Sequence, residues 1–374
     1  MKTTYHTHTP QETMSLGQQL GRQLVPGVAV LLFGDLGSGK THFTKGLAKG
    51  LGIDEVIKSP TFTYVNAYAL SGQWSVVSGQ PITRSDFSAP LRSGRNEKTI
   101  HVYHYDLYRL NPGDNFYSIG LEDTLNDPGS INIIEWADRM GDMLPTNYIR
   151  VDFKAGAETH ELQFSYHDSE VVSEAQVEGF YETWATPLHV RKHCEQVANV
   201  AMQVGQAYMS KNLLINFSLL KTAALLHDMA RVCDFTDLDP SKFQEEVTEE
   251  KWEKWSQLRK DHAGQNHADI GADHLIQLGY HKTAALIRAH HSLTILDEPH
   301  LLEHLETAIL YYADKRAMHD HIVSLSERFE DGRRRYGHLD HPGQKKRYLE
   351  VEQKTMELEE WLFSEIDIKP DDIR

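Results

Sequence analysis

The sequence predicts two domains of different class, an α/β P-loop NTPase-like sheet followed by an all-α domain. Over roughly the first 166 residues, short β-rich runs alternate with helical or turn segments, the pattern of an α/β sheet. In the second half, apolar residues recur at intervals of three and four with almost no two-residue alternation, as buried helix faces require. Histidine is also unevenly placed: seven of the 22 lie before Ala185 (6, 8, 42, 101, 104, 160, 167) and fifteen after it, so the halves carry different chemistry. A length of 374 residues suits two domains at roughly 100–200 residues each.

The elements of the first half follow in order. Val28–Phe33 is an apolar strand-like run, and the residues after it place Phe43, Leu47 and Leu51 at helical spacing. Ala69–Lys98 is Ser/Gly/Pro-rich without a clear period, which reads as an insertion or surface loop. Thr99–Tyr105, Ile131–Ile134, Tyr148–Phe153 and His160–Tyr166 supply the remaining strands. Residues 167–184 form an acidic linker ending before Pro187, which disfavours helix in the residue ahead of it. The second domain then runs over 185–345, opening with Val190, Cys194, Val197, Ala201, Val204 and Tyr208 on one helical stripe. Residues 346–374 are read as a solvated, acidic, amphipathic helix carrying Met356, Leu358, Leu362 and Ile366. The basic runs Arg333–Arg335 and Lys345–Arg347 are read chiefly as a solvated helix face.

Composition narrows the function. With 38 basic and 54 acidic side chains the net charge is −16, so the chain repels polyanions and extensive unaided binding of nucleic acid is not expected. Two cysteines, Cys194 and Cys233, cannot make a disulfide framework. Apolar runs fall far short of the ~18 residues of a membrane span, and a cytoplasmic, soluble protein is expected.

Gly34, Asp35, Leu36, Gly37, Ser38, Gly39, Lys40 and Thr41 satisfy G-x-x-x-x-G-K-[ST] between a strand-like run and a helix. Such a loop lets successive backbone N–H groups curl around phosphate oxygens, and the helix N-terminus behind it adds partial positive charge. Lys40 would reach the β/γ phosphates and Thr41 would hold Mg²⁺, so ATP and Mg²⁺ are the expected ligands. A P-loop also needs a second acid for the metal and a group to orient the attacking water. The candidates in order are Thr61 and Thr63, Asp106 and Glu135, of which Glu135 ends an apolar strand where an α/β sheet delivers side chains to its ligand edge.

These residues carry a resemblance. GDLGSGKT from Gly34, SPTFT from Ser59, HVYHYDLYRL from His101, GLED from Gly120 and IIEWADR from Ile133 resemble the TsaE (YjeE) family of small P-loop ATPases over about Pro10–Tyr166. The resemblance implies an ATPase serving threonylcarbamoyladenosine synthesis on tRNA, with TsaD- and TsaB-like partners through which tRNA is engaged indirectly. It implies that Lys40 and Thr41 serve ATP and Mg²⁺, that Thr61 lies in a switch-like loop and that Asp106 is a catalytic acid. Glu135 is then a Walker-B-like carboxylate with Trp136 beside it. The 69–98 insertion departs from the family pattern.

In the second half His193, His227-Asp228, His267, His290-His291 and Asp314 are spaced so that several ionisable groups face inward from separate helices. That is costly unless they converge on a cation or on one another, and imidazole and carboxylate suit divalent metals such as Mn²⁺, Fe²⁺ or Co²⁺. Satisfied core histidines are the bland alternative for any one of them. No G-x-S-x-G elbow or C-x-x-C pair supports a Ser-His-Asp or zinc–cysteine site. The ordered set, with HDMAR from His227, NHADIGA from Asn266, IRAHH from Ile287 and YYADK from Tyr311, resembles HD-domain metal-dependent phosphohydrolases and their YqeK-like branch. That branch hydrolyses diadenosine tetraphosphate. The resemblance implies a first metal on His193, His227, Asp228 and Asp314, and a second completed by His267 and His290 or His291. His267 or His290 could instead protonate the leaving group, with Asp228 in the reaction centre. The expected substrate is a nucleotide or other small phosphoester. Two alternatives stay open: a metal- or nucleotide-sensing second domain without turnover, and a nucleotide kinase-like phosphotransferase in the first.

Overall fold

The strand-forming runs of the first half assemble into a seven-stranded sheet in a computed structural model. It describes all residues except 54–59, 61–63, 71–99, 112–113, 115, 236–242, 244 and 337–341. Thr61, Thr63 and all but the first two residues of the 69–98 insertion lie outside the described residues. The chain divides into two units, the first mainly residues 1–169 with 212–214, the second mainly 170–211 and 215–374.

In the first unit the strands are β1 (Lys2–Thr7), β2 (Val28–Phe33), β3 (Val65–Leu70), β4 (Ile100–Asp106), β5 (Ser130–Glu135), β6 (Tyr148–Ala155) and β7 (His160–His167). Their order is β1-β7-β6-β2-β5-β4-β3. β2 pairs in parallel with both β5 and β6, and β4 in parallel with β5, while the remaining pairs are antiparallel. Central strands buried on both faces read as continuous apolar runs, and Val28 through Leu32 are all buried. Two strands have no counterpart in the sequence reading, β1 and β3. β1 buries Thr3, Tyr5 and Thr7 in alternation, but three threonines, a lysine and a histidine give it too little apolar signal. β3 pairs antiparallel with β4, is only half-buried, and takes in the first two residues of the insertion.

Helices α1 (Pro10–Gln23) and α2 (Lys40–Leu51) pack against each other through glycine. A Cβ on Gly17 would lie 2.2 Å from the Phe43 carbonyl oxygen, and one on Gly46 would lie 2.0 Å from that of Met14. The helix backbones are therefore in contact at a distance that no side chain permits. Gly21 and Gly50 repeat the contact one turn on. This fixes α2, whose N-terminus carries the P-loop. On the opposite face of the sheet, Leu31, Tyr105 and Ile134 form a core with Phe116 and Leu121, the latter opening the short helix α3 (Leu121–Leu125).

The second unit is helical apart from a two-residue pairing of β8 (Ala317–Met318) and β9 (His321–Ile322) among the described residues. Its helices are α4 (Val177–Thr183), α5 (Leu188–Ser210), α6 (Phe217–Leu226), α7 (Glu249–Asp261), α8 (His267–Gln277), α9 (His281–Ala289), α10 (Thr294–Asp297), α11 (Leu305–Arg316), α12 (Leu325–Tyr336) and α13 (Pro342–Ser364). α5 packs on α6 and α11, and α8 on α9. All six residues of the stripe from Val190 to Tyr208 are buried.

Two segments differ from the sequence reading. Where a linker was expected, α4 buries Val177, Phe180 and Tyr181, with Trp184 following, because three aromatics within five residues outweigh the acidic flank. The acidic tail is more than a solvated helix: Val351, Thr355, Leu362 and Ile366 are buried, and the Tyr208 hydroxyl donates to the Leu362 carbonyl at 2.7 Å. A narrow seam of four inward positions suffices to dock a helix whose other faces are charged. The basic runs are paired internally: Arg333 binds Glu352 at 2.5 and 2.6 Å, and Arg347 binds Asp297 at 2.6 and 2.7 Å.

Candidate nucleotide and metal sites

The P-loop connects the end of β2 to α2, at the edge where the parallel strands deliver their C-terminal ends. Gly34, Gly37 and Gly39 have φ of 140°, 80° and 102°, which side chains rarely tolerate. At Gly34 a Cβ would also meet the Phe153 carbonyl oxygen at 2.5 Å, so this turn is closed to other residues twice over. Lys40 is buried. Its ammonium donates to the carbonyls of Gly34 (2.6 Å) and Asp35 (2.8 Å) and lies 3.8 Å from the centre of the Trp136 ring. Burial pushes the Lys40 ammonium down from the ordinary lysine value, against the opposing pull of Glu135, Asp138, Asp106 and Asp35. Buried and hydrogen-bonded to two loop carbonyls, this cation is placed to exchange them for phosphate oxygens. Ser38 is buried, Asp35 and Gly37 are exposed, and Leu36 is 76% exposed at the loop tip.

The second acid is in place. Asp106 and Glu135 are directly opposite each other on the parallel pair β4 and β5, both buried. The Thr41 hydroxyl donates to Glu135 Oε2 at 2.9 Å, so the P-loop hydroxyl and the strand-end carboxylate already share one point. These are hard oxygen donors, the set that Mg²⁺ prefers, and the residues fit that ion. The other carboxylate oxygen of Glu135 contacts His104 Nε2 at 3.0 Å. His104 and His160, whose Nδ1 lies 3.0 Å from the Ser38 carbonyl oxygen, received no role from sequence. His104 stood inside a quoted motif and could have been found from its register, two residues before Asp106 on the same strand face. Tyr108 lies beside Trp136 with ring centres 4.9 Å apart and planes tilted by 50°, and Trp136 has a left-handed φ of 60°.

In the second unit, five elements bring the inward ionisable groups together. His193 comes from α5, His227 and Asp228 follow α6, His267 opens α8, His290 follows α9, and Asp314 lies on α11. His193, His227 and Asp228 form one group whose ligand atoms lie within 4.8 Å of one another, and Asp228, His267 and His290 form a second. Asp314 Oδ1 closes the first group, 3.1 Å from His193 Nε2 and 3.5 Å from His227 Nε2. His267 Nε2 lies 2.8 Å from Asp228 Oδ1 and 3.2 Å from His290 Nε2. His291 lines the same cavity but belongs to neither group among the described residues.

Outer contacts aim these rings. His227 Nδ1 is held by the Ala224 carbonyl at 2.8 Å, His290 Nδ1 by that of Ile287, and His267 Nδ1 by the Asp234 carboxylate at 2.6 Å. In each case the nitrogen left facing the group is Nε2, the arrangement by which outer acceptors orient metal-binding imidazoles. His227 Nε2 is buried with no hydrogen-bond partner among the described residues, an orphaned atom that a cation would satisfy. Burial pushes Asp228 up, but His227, His267 and Arg231 outweigh it and hold the carboxyl well below the ordinary range; Lys315 and the two first-group histidines do the same for Asp314. Burial likewise pushes His227 and His267 down and is outweighed by the thiol and carboxylates around them, so both rings sit above the ordinary imidazole value. His290, also buried and with one carboxylate contact, is pushed down by burial and by the neighbouring rings of His227 and His267 to about 4. Carboxylates and imidazoles gathered in one buried centre are a donor set that a divalent cation can bind. A cavity of about 270 Å³ opens on it, and Arg231, Lys315 and Arg328 add cations at its wall.

Asp234 and Lys315 are the members of this centre that sequence reasoning left without a role. Lys315 donates to Asp314 Oδ2 at 2.6 Å and to the His290 carbonyl at 3.1 Å, bridging the two groups. Among the described residues, no helix is long and apolar enough to cross a membrane.

Comparison with known proteins concerns the first unit. The family model for threonylcarbamoyl adenosine biosynthesis protein TsaE matches residues 7–79 and 91–162. A tRNA threonylcarbamoyladenosine biosynthesis protein TsaE from Bacillus subtilis is 30% identical over 162 residues, 43% of this chain and 84% of its own length. The one from Treponema pallidum is 33% identical over 152 residues, 41% of this chain and 91% of its own. The crystal structure of Bacillus subtilis YdiB is 27% identical, covering 45% of this chain and 86% of its own with a TM-score of 0.30.

Proposed function

This chain belongs to the TsaE family through its N-terminal half, and from that premise we propose that it carries two enzymes: an ATPase of tRNA threonylcarbamoyladenosine biosynthesis and an HD-type, metal-dependent phosphohydrolase. For the first, the observation that carries the reading is the meeting of Thr41, Lys40 and Glu135 at the end of the parallel strands. Thr41 and Glu135 would hold Mg²⁺, which neutralises charge on the phosphates of ATP. Lys40 would exchange its two carbonyl contacts for β/γ-phosphate oxygens. Asp106, opposite Glu135, is placed to orient the attacking water. TsaD- and TsaB-like proteins are the expected partners and would hold the tRNA, since a chain of charge −16 is a poor ligand for a polyanion.

For the second, the carrying observation is the convergence of four histidines and two aspartates from five elements beside one cavity, with His227 Nε2 making no hydrogen bond among the described residues. His193, His227, Asp228 and Asp314 would hold one divalent ion, and Asp228 with His267 and His290 a second. Such ions lower the pKa of a water from 15.7 toward about 7 and neutralise phosphoryl charge. Arg231, Lys315 and Arg328 supply phosphate-binding cations to the same cavity. Where the family resemblance leads one to look for Lys after the His-Asp pair, Arg231 offers a planar two-pronged donor instead.

The test is phosphate release by the purified full chain from a panel of nucleotides and small phosphoesters, with Mg²⁺, Mn²⁺, Fe²⁺ or Co²⁺ and with chelator. Turnover of a phosphoester other than ATP, dependent on one of these metals, is the expected result. Metal binding without turnover of any panel member would reduce the second unit to a sensor. Transfer of the γ-phosphate to a nucleoside or nucleotide, rather than to water, would make the first unit a kinase.

A further inference from the structure

Within the sheet of the first unit, His104 is an ionisable group for which the ATPase reading has no use. His104 is 1% exposed, within β4, two residues before Asp106 and on the same face of the strand. Its cross-strand partner on β5 is Ile133, so Glu135 is its diagonal neighbour, within reach of a long side chain. The contact is made: His104 Nε2 lies 3.0 Å from Glu135 Oε1, with the Glu135 side chain 2% exposed. Glu135 Oε2 meanwhile accepts from Thr41. His104 Nδ1 is buried and has no hydrogen-bond partner among the described residues.

An orphaned ring nitrogen costs roughly 1–3 kcal/mol, and an apolar residue in this core position would avoid that cost. Histidine therefore stands here at the expense of stability, and its one polar contact is with the carboxylate. The two contacts on Glu135 are not equivalent. The Thr41 bond is given up when that hydroxyl serves a cation, whereas the His104 bond lies on the opposite oxygen and survives. With Nε2 as the donor, the imidazole fixes the carboxylate plane and leaves Oε2 turned to the P-loop.

We propose that His104 is a positioning residue: by donating from Nε2 to Glu135 Oε1 it presents the other carboxylate oxygen to the Mg²⁺ of the bound nucleotide. This rests on the P-loop reading given above and adds to it the group that sets the metal affinity. Outer donors of this kind are worth about 10–100-fold in metal affinity.

The experiment titrates Mg²⁺ against binding of a fluorescent ATP analogue to the full chain, beside binding of the same analogue in chelator. In His104→Asn the amide reaches only the Nδ1 position, and in His104→Gln it reaches the Nε2 position. The Mg²⁺ midpoint is expected to rise at least about tenfold in H104N and to stay within about threefold of the wild type in H104Q, with chelator-state binding alike in all three. Should H104N fail to fold, judged by circular dichroism, the isosteric His104→Phe takes its place. An unchanged midpoint in H104N or H104F overturns the proposal, and so does a midpoint in H104Q as high as theirs, which would mean that the ring acts through packing alone. A wild-type chain that binds no analogue would instead overturn the P-loop reading itself, a result distinct from either.

Discussion

Asp234 reaches the centre of the second unit through His267. Its carboxylate holds His267 Nδ1 at 2.6 Å and, through Arg231 at 3.4 Å, is itself held in place. Replacing it with alanine leaves His267 free to turn and removes the acceptor that raises the basicity of Nε2. Asp234→Ala is expected to weaken binding of the second divalent ion by about 10–100-fold, measured by calorimetric titration of Mn²⁺ or Co²⁺. An affinity within twofold of the wild type would mean that His267 does not serve as a ligand. At this scale the sequence was legible where spacing is stereotyped. A P-loop announces itself because glycines, lysine and threonine must follow one another, and an adjacent His-Asp pair stands out because both side chains can bind a cation. Asp234 was not legible, and His104 only through its register beside Asp106: each acts on a residue that is remote in sequence, Glu135 lying 31 positions after His104 and His267 lying 33 after Asp234. Only the fold makes these pairs.

Elements are held by contacts that leave their own mark on the sequence, and some of those marks are faint. The stripe from Val190 to Tyr208 was readable because a buried helix face repeats its apolar residues, and all six are buried. The α1–α2 contact rests on the absence of side chains. Gly17, Gly21, Gly46 and Gly50 are spaced four apart on each helix and meet backbone to backbone, yet a glycine pair reads equally well as a helix weakness. Gly46→Val would place its Cβ 2.0 Å from the Met14 carbonyl oxygen and force the helices apart. A loss of about 1–3 kcal/mol or more is expected, seen as a lowered denaturation midpoint of the full chain together with weaker ATP binding, since α2 carries the P-loop. A variant of wild-type stability would show that the two helices have room that the geometry denies them. β1 and β3 escaped the sequence reading for a different reason. Both rely on pairing with a neighbouring strand, β1 with β7 and β3 with β4, to make strands of runs whose own apolar content is too low to declare them.

On the proposal made above, two hydrolytic chemistries share one chain, each drawing on a different metal-ligand set. Hard oxygens from Thr41 and Glu135 suit Mg²⁺ in the first unit, and imidazoles with shared aspartates suit a softer divalent ion in the second. The net charge of −16 bears on both, since small phosphorylated ligands must be drawn in by local cations such as Lys40, Arg231 and Lys315 against an overall repulsion. The direct test of this claim is a crossed pair of variants in the full chain, Lys40→Ala and Asp228→Ala, each assayed for Mg²⁺-dependent ATP hydrolysis and for metal-dependent release of phosphate from the phosphoester found in the substrate panel. The account predicts that K40A loses ATP hydrolysis by at least about a hundredfold and keeps the second activity, and that D228A does the reverse. If K40A retains ATP hydrolysis and D228A retains the second activity, or if either variant abolishes both while still folded, the assignment of two enzymes to two sites is contradicted.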